Sequence, residues 1–146
     1  MAMPQPRLNG VLQRKLAVLD ATVAELRSLG DVTTHQVRAN WMLRRAIERN
    51  LQIAVEVLID VCQRLLTTRG ETPADTAGTA ISRCVTAGIL SAAAPYAAMV
   101  RFRNFIVHRY EDIDVEVLVG IVRKQLTAFV QFRDEINAYV ARVNNL

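Results

Sequence analysis

Residue types that build turns, strands and metal sites are scarce in this sequence. It contains six glycines and four prolines among 146 residues, too few for a turn-rich β protein. Its two cysteines, Cys62 and Cys84, lack the spacing of metal ligands. They predict no metal or cofactor site, and we expect both to be reduced thiols in the core of a cytoplasmic protein.

A long apolar run is also missing. The longest charge-free stretch near the middle, residues 84–100, is interrupted by Thr86, Gly88, Ser91 and Pro95. It falls short of the roughly 20 apolar residues that span a membrane. The first ten residues include two prolines and no apolar segment, so they do not resemble a signal peptide. We therefore expect a soluble, cytoplasmic protein with no membrane partner.

Lysine is nearly absent, because 16 of the 18 basic residues are arginine, and the net charge is +4. A guanidinium group binds phosphate through two parallel hydrogen bonds and does so better than an ammonium group. This charge balance permits binding of RNA or DNA without demonstrating it.

Helical periodicity dominates what the sequence does contain. Apolar residues recur at spacings of three and four, and neither a repeat nor a linker divides the chain, so residues 1–146 are expected to form one domain. Five helices are predicted, over residues 8–29, about 34–68, about 75–88, about 91–108 and about 114–143. Gly30 should close the first, Asp75 or Thr76 should cap the third, and Asp112 or Asp114 should cap the last. The fold class is therefore all-α, an antiparallel up-and-down bundle of four to five helices.

Two features of these helices raise further expectations. Residues 115–122, VEVLVGIV, are apolar almost all round, so part of this surface should be covered by a second copy or by the fourth helix. That pattern favours a homodimer. The second helix has a polar face, which includes Gln52, Glu56, Asp60 and Gln63 and is expected to be solvated or to line a site. On this face, Glu56 and Asp60 lie one turn apart and could form paired carboxylates, but ion pairs with nearby arginines are the preferred interpretation.

The segment RFRNFIVHRYEDID, residues 101–114, concentrates residues that can carry chemistry. An imidazole such as that of His108 accepts or donates a proton near neutral pH. A guanidinium stabilises the spread negative charge of a phosphoryl transition state. Such a pair is sufficient, without a metal, for RNA cleavage by the RNA's own 2′-hydroxyl, which leaves a 2′,3′-cyclic phosphate.

Helix geometry constrains this pair. On an unbroken α-helix at about 100° per residue, Arg103 and His108 lie roughly 140° apart. Asn104 and His108, four residues apart, share a face. Either the helix distorts before His108, or both side chains enter a wide groove from its sides. A groove between two copies of the helix in a dimer would suffice.

The segment RNFIVHRY fits the pattern R-x4-H-x-Y, with Asn104 directly after Arg103. It resembles the HepT-like branch of the HEPN ribonuclease toxins, which are encoded beside a small MNT nucleotidyltransferase antitoxin. RAIERNLQIAVEVLIDV is similar to that family's second helix, and GILSAAAPYAAMVRFRNFIVHRYEDID is similar to its centre. The final amphipathic helix matches the end of the family, so the resemblance covers most of the chain.

The resemblance implies a metal-independent endoribonuclease that cleaves tRNA or mRNA as a homodimer. Arg103 and His108 would be the catalytic pair, and Asn104 would support the site. Tyr110 would accept AMP, transferred from ATP by the cognate MNT antitoxin. Arg101 and Arg109 are further candidates for contacts to RNA phosphates, with plain solvated charge as the alternative.

Two other functions fit the same sequence. A non-catalytic helical module could bind a nucleotide or substrate and partner a nucleotidyltransferase. A purely structural helical dimer is suggested only by the apolar surface of residues 115–122. No P-loop, glycine-rich nucleotide loop, Cys/His metal signature or serine nucleophile motif is present in the sequence.

Overall fold

A computed structural model of the chain describes the backbone of residues 5–108 and 114–144 and the side chains of residues 10–105 and 114–144. These residues form seven α-helices and no strand. The helices are α1 Gln5–Arg27, α2 Thr34–Ala39, α3 Trp41–Thr68, α4 Ala77–Thr86, α5 Ala97–His108, α6 Val115–Lys124 and α7 Leu126–Asn144, with one 3-10 turn at Ala94–Tyr96. The predicted all-α bundle is confirmed.

The helix α3 is the centre of the bundle, because it contacts each of the other six helices. Its apolar stripe at spacings of three and four is buried in full and consists of Ile47, Leu51, Ala54, Leu58, Val61 and Leu65. Further apolar side chains beside the stripe are buried too. The buried α3 residues are Ile47, Leu51, Ala54, Val55, Leu58, Val61, Cys62, Leu65 and Leu66. An α-helix surrounded in this way buries more than one face, and its remaining polar strip is therefore the part available for function.

The second predicted helix is divided where continuous helix was expected. Asn40 adopts an extended backbone (φ −134°, ψ 98°) that separates α2 from α3. Its side-chain oxygen accepts hydrogen bonds from the backbone N–H groups of Met42 (3.1 Å) and Leu43 (3.2 Å). Asparagine is a favoured N-cap because it satisfies these otherwise unpaired donors. The short α2 has its own capping box between Thr33 and Gln36.

The last predicted helix is also divided, at Gln125, into α6 and α7. Most of the apolar segment 115–122 is buried within the chain, against α2, α3 and α7, and Val117 is its one exposed large apolar residue. The expected cover by a second copy or by the fourth helix is thus supplied largely by α2 and α7. The apolar character of this segment therefore no longer argues for a homodimer.

The predicted helix ends are largely confirmed. Gly30 follows α1 with φ +66°, a conformation that favours glycine, and its N–H donates to the carbonyl of Arg27 (3.1 Å). Of the alternative caps, Thr76 caps α4 and Asp114 caps α6. Both cysteines are free and buried. No helix among the described residues is long and apolar enough to span a membrane.

Candidate active site

The side chain of Arg103 is held against the central helix. Its Nε lies 3.0 Å from Oε1 of Glu56 on α3, forming a salt bridge between α5 and α3. About 29% of the Arg103 side chain is exposed, so the guanidinium is neither fully buried nor freely solvated. An arginine has five N–H donors, and one such contact leaves others available to a ligand. The ion pair therefore restricts the orientation of Arg103 while leaving it accessible.

A cavity of about 380 Å³ lies beside this ion pair, where the middle of α3, the start of α4 and α5 meet. Its lining residues are Ile59, Gln63, Asp75, Thr76, Ala77, Arg103 and Asn104. The volume is within the range of small-molecule binding sites. One predicted catalytic residue and the predicted supporting residue, Arg103 and Asn104, are thus brought to a single cavity.

Hydrogen bonds between side chains and the backbone fix another part of the cavity wall. Gln63 on α3 donates from Nε2 to the carbonyl of Ala74 and accepts at Oε1 from the Ala74 N–H, both at 2.8 Å. Two residues later, Thr76 accepts at Oγ1 from the N–H of Thr79 (3.0 Å) and so caps α4. Asp75 lies between these two anchored positions.

The helix α5 is α-helical without interruption from Ala97 to His108. A distortion before His108, one of the two predicted ways of bringing Arg103 and His108 together, is therefore not observed. The side chain of His108, together with Arg109 and Tyr110, lies outside the described residues. The expected roles of these three residues remain predictions.

Arg101 is exposed and does not line the cavity. Two residues of α-helix turn its side chain about 200° away from that of Arg103. The structure therefore does not bring Arg101 to the same cavity. Asn104, one residue after Arg103, is exposed and lines the cavity, and it has no hydrogen-bond partner among the described side chains.

Asp60, one turn after Glu56, is engaged elsewhere. Its Oδ2 lies 2.5 Å from Nζ of Lys15 and 3.3 Å from Nε of Arg64. Burial alone would raise the pKa of the Asp60 carboxyl, but the hydrogen bonds from Lys15 and Arg64 outweigh it, and the pKa is lowered overall. The preference for ion pairs over a paired-carboxylate site is thus confirmed for both acids, although one partner is a lysine.

Within the described part of the chain, no group of three His, Cys, Asp or Glu side chains could hold a metal ion.

Sequence reasoning missed two participants. Glu56 was assigned an arginine partner but not Arg103 in particular, and Asp75 was considered only as a helix cap. The sequence carried a partial signal for the first, because Glu56, Gln63 and Gln52 share the polar face of α3 that was expected to be solvated or to line a site. No sequence signal placed Asp75 near Arg103.

The described helices thus form an all-α bundle in which Arg103 and Asn104, from the R-x4-H motif of the sequence, line one cavity. The family model described as "Ribonuclease HepT-like" matches residues 19–136 of the sequence. The chain therefore belongs to the HepT-like ribonuclease family, and the predicted family and ribonuclease activity are confirmed at that level. A comparison with curated protein sequences gives no significant match.

Solved structures share the fold. One chain from a tri-AMPylated HEPN toxin of Shewanella oneidensis in complex with an MNT antitoxin superposes with a TM-score of 0.76 at 18% identity, covering 88% of this chain and 97% of that chain. A toxin–antitoxin complex with AMP-PNP gives a TM-score of 0.78 at 20% identity, with coverage of 88% and 98%. A mutant MntA–HpeT toxin–antitoxin complex gives 0.76 at 21% identity, with the same coverage.

Proposed function

We propose that this protein is the toxin of a toxin–antitoxin system and acts as a metal-independent endoribonuclease. The observation that carries the proposal is the complete R-x4-H-x-Y motif in a HepT-like chain, with its arginine held at a cavity by Glu56. Related folds occur in a HEPN toxin bound to an MNT antitoxin, which supports the same role here.

The proposed reaction uses only the RNA and two side chains. The 2′-oxygen attacks the adjacent phosphorus, the bond from phosphorus to the 5′-oxygen breaks, and a 2′,3′-cyclic phosphate forms. The 2′-hydroxyl loses a proton and the departing 5′-oxygen gains one. His108 accepts the proton from the 2′-hydroxyl and donates a proton to the departing 5′-oxygen. Arg103 stabilises the negative charge of the pentacovalent phosphate. Asn104, on the same helical face as His108, supports the arrangement.

A homodimer reconciles this chemistry with the continuous α5. Because Arg103 and His108 lie roughly 140° apart on one helix, two α5 helices facing each other would place both residue types in a shared groove. Sedimentation at micromolar concentration should therefore give twice the 16.3 kDa mass of the chain. A monomer at that concentration would contradict the shared groove.

Tyr110 is the proposed point of control. A cognate MNT nucleotidyltransferase would transfer AMP from ATP, so that the Tyr110 oxygen attacks the α-phosphorus, pyrophosphate leaves and the phenolic proton is lost. The modification would add bulk and negative charge two residues from His108, which would oppose binding of RNA phosphates.

Growth and RNA integrity test the toxin role. The wild type and the variants His108→Ala and Arg103→Ala are induced in cells that lack the antitoxin. The wild type should stop growth and fragment RNA, whereas both variants should leave growth and RNA intact. Equal growth and equally intact RNA in all three strains would contradict the toxin role and favour a non-catalytic partner of a nucleotidyltransferase.

Intact mass tests the control step. After incubation with the cognate MNT protein and ATP, the wild type should gain one or more AMP units, and Tyr110→Phe should keep its mass. A mass gain in Tyr110→Phe would assign the modification to another residue.

A further inference from the structure

The cavity beside Arg103 has an uneven distribution of charge. Among its lining residues, Arg103 contributes a positive group, Asp75 contributes an exposed carboxylate, and Ile59 adds an apolar surface. A second phosphate would be repelled by the Asp75 carboxylate. The cavity is therefore suited to a ligand that combines one phosphate with a body that donates hydrogen bonds and has an apolar surface.

The Asp75 carboxylate is exposed, but hydrogen bonds fix the residues directly before and after Asp75. Ala74, directly before it, exchanges two hydrogen bonds of 2.8 Å with the Gln63 amide. Thr76, directly after it, caps α4 through Thr79. Because the backbone at Asp75 is already fixed, it loses little conformational entropy when a ligand binds to this carboxylate.

A carboxylate accepts hydrogen bonds and does not donate them, so its best partner presents adjacent N–H donors. Among the RNA bases, guanine presents two, N1–H and the N2 amino group, side by side on its Watson–Crick edge. Uracil presents a single N–H flanked by two carbonyl oxygens, which a carboxylate repels. Single-stranded RNA is commonly read on this edge.

Resting on the proposed ribonuclease function, we propose that the cavity is a base-binding subsite in which Asp75 reads the Watson–Crick edge of a guanine next to the scissile phosphate. Arg103 binds the phosphate of the same dinucleotide step, and Ile59 packs against the base. The protein thus cleaves single-stranded RNA beside guanosine in preference to uridine.

Cleavage-site sequencing tests the subsite. The wild type, Asp75→Asn and the matched control Asp31→Asn are incubated with a single-stranded RNA library of random sequence, and the new cyclic-phosphate ends are sequenced. Asp31 is also an exposed aspartate, but it lies in the loop after α1 and does not line the cavity. The wild type and the control should show guanosine enriched over uridine by about tenfold at one fixed position beside the cut, as expected for a two-bond contact to a base edge. Asp75→Asn should lose this enrichment.

A second measurement separates failure of the subsite from failure of the nuclease. Binding of 5′-GMP and 5′-UMP is titrated with the same three proteins by NMR or calorimetry. GMP should bind about tenfold more tightly than UMP to the wild type and to Asp31→Asn, but not to Asp75→Asn. This result would support the subsite even if no RNA were cut. Equal binding of the two nucleotides by the wild type, or an Asp75→Asn cleavage profile identical to that of the wild type, would overturn it.

Discussion

The Nε of Arg103 and Oε1 of Glu56 lie 3.0 Å apart, and this ion pair joins two helices whose paired residues are 47 positions apart in sequence. Arg103 is therefore not a free surface arginine, because the central helix fixes one edge of its guanidinium. In the proposed mechanism, Glu56 is then a positioning residue, which acts on the reaction through Arg103 and touches no reacting atom.

Substitution of Glu56 should slow RNA cleavage without weakening RNA binding. Glu56→Gln keeps an oxygen that can accept from the Arg103 Nε, whereas Glu56→Ala keeps none. We expect kcat to fall by about tenfold in Glu56→Ala and by less in Glu56→Gln, with KM unchanged or lowered because a negative charge is removed. Steady-state kinetics on a fluorescent single-stranded RNA would measure both constants.

Asp60→Asn is the matched control, because Asp60 lies one turn away but pairs with Lys15 and Arg64. It should leave kcat unchanged. If Asp60→Asn slowed cleavage as much as Glu56→Gln, the effect would reflect the general charge of α3 and not the orientation of Arg103.

Loss of the Tyr96 hydroxyl should destabilise the fold. Tyr96 is fully buried, and its hydroxyl donates a hydrogen bond to the Glu135 carboxylate on α7. Glu135 also accepts from the N–H of Ser91 (2.8 Å). Tyr96→Phe leaves a carboxylate without one donor, at a cost of about 1–3 kcal/mol in the free energy of unfolding. Urea denaturation would measure it, with Tyr139→Phe as the control, since that hydroxyl makes only a 3.5 Å contact with Arg69.

Stability should fall in acid partly through Glu135. Burial alone would raise the pKa of this carboxyl, but the hydrogen bonds from Ser91 and Tyr96 outweigh it and lower the pKa below the ordinary value of 4.5. A group whose pKa is lowered by folding contributes stability above its unfolded pKa and loses it as the pH falls through its folded pKa. The advantage of the wild type over Glu135→Gln in the free energy of unfolding should therefore be full at pH 6 and shrink below pH 4.5. An advantage that stays constant from pH 6 to pH 3 would contradict this role.

Removal of the cap at Asn40 should loosen the start of α3. Asn40→Ala deletes the oxygen that accepts from the N–H groups of Met42 and Leu43. The expected cost is about 1 kcal/mol in the free energy of unfolding, measured by urea denaturation. Gln36→Ala offers a comparison, because it removes the reciprocal half of the capping box at α2. No loss of stability in Asn40→Ala would show that α3 does not depend on this cap.

The helical regions could be predicted from the sequence because apolar residues recur along them at the spacing of an α-helix, and the structure buries these residues. All six stripe residues of α3 are in the core, from Ile47 to Leu65. The two divisions of long helices escaped prediction for physical reasons. Asn40 is tolerated within helices, so only its observed extended backbone reveals a cap, and the apolar period continues across Gln125 without a break.

The candidate site was predictable in part. A local motif identified Arg103 and Asn104, and the structure brings both to one cavity. The partners Glu56 and Asp75 depend on how α3 and the loop before α4 pack against α5. Such contacts between distant segments have no signature in a single sequence. Local periodicity indicates which face of a helix is buried, but not which other segment packs against it.

The most direct test of the account is the chemistry of the cut itself. A single-stranded RNA and the same strand with 2′-deoxy sugars are incubated in excess EDTA with the wild type, Arg103→Ala and His108→Ala, and the products are analysed by mass spectrometry. The wild type should cut only the RNA and leave a 2′,3′-cyclic phosphate and a 5′-hydroxyl, with both variants at least about 100-fold slower. Cleavage of the 2′-deoxy strand, a 5′-phosphate product, or full activity in either variant would contradict the proposed use of the Arg103–His108 pair.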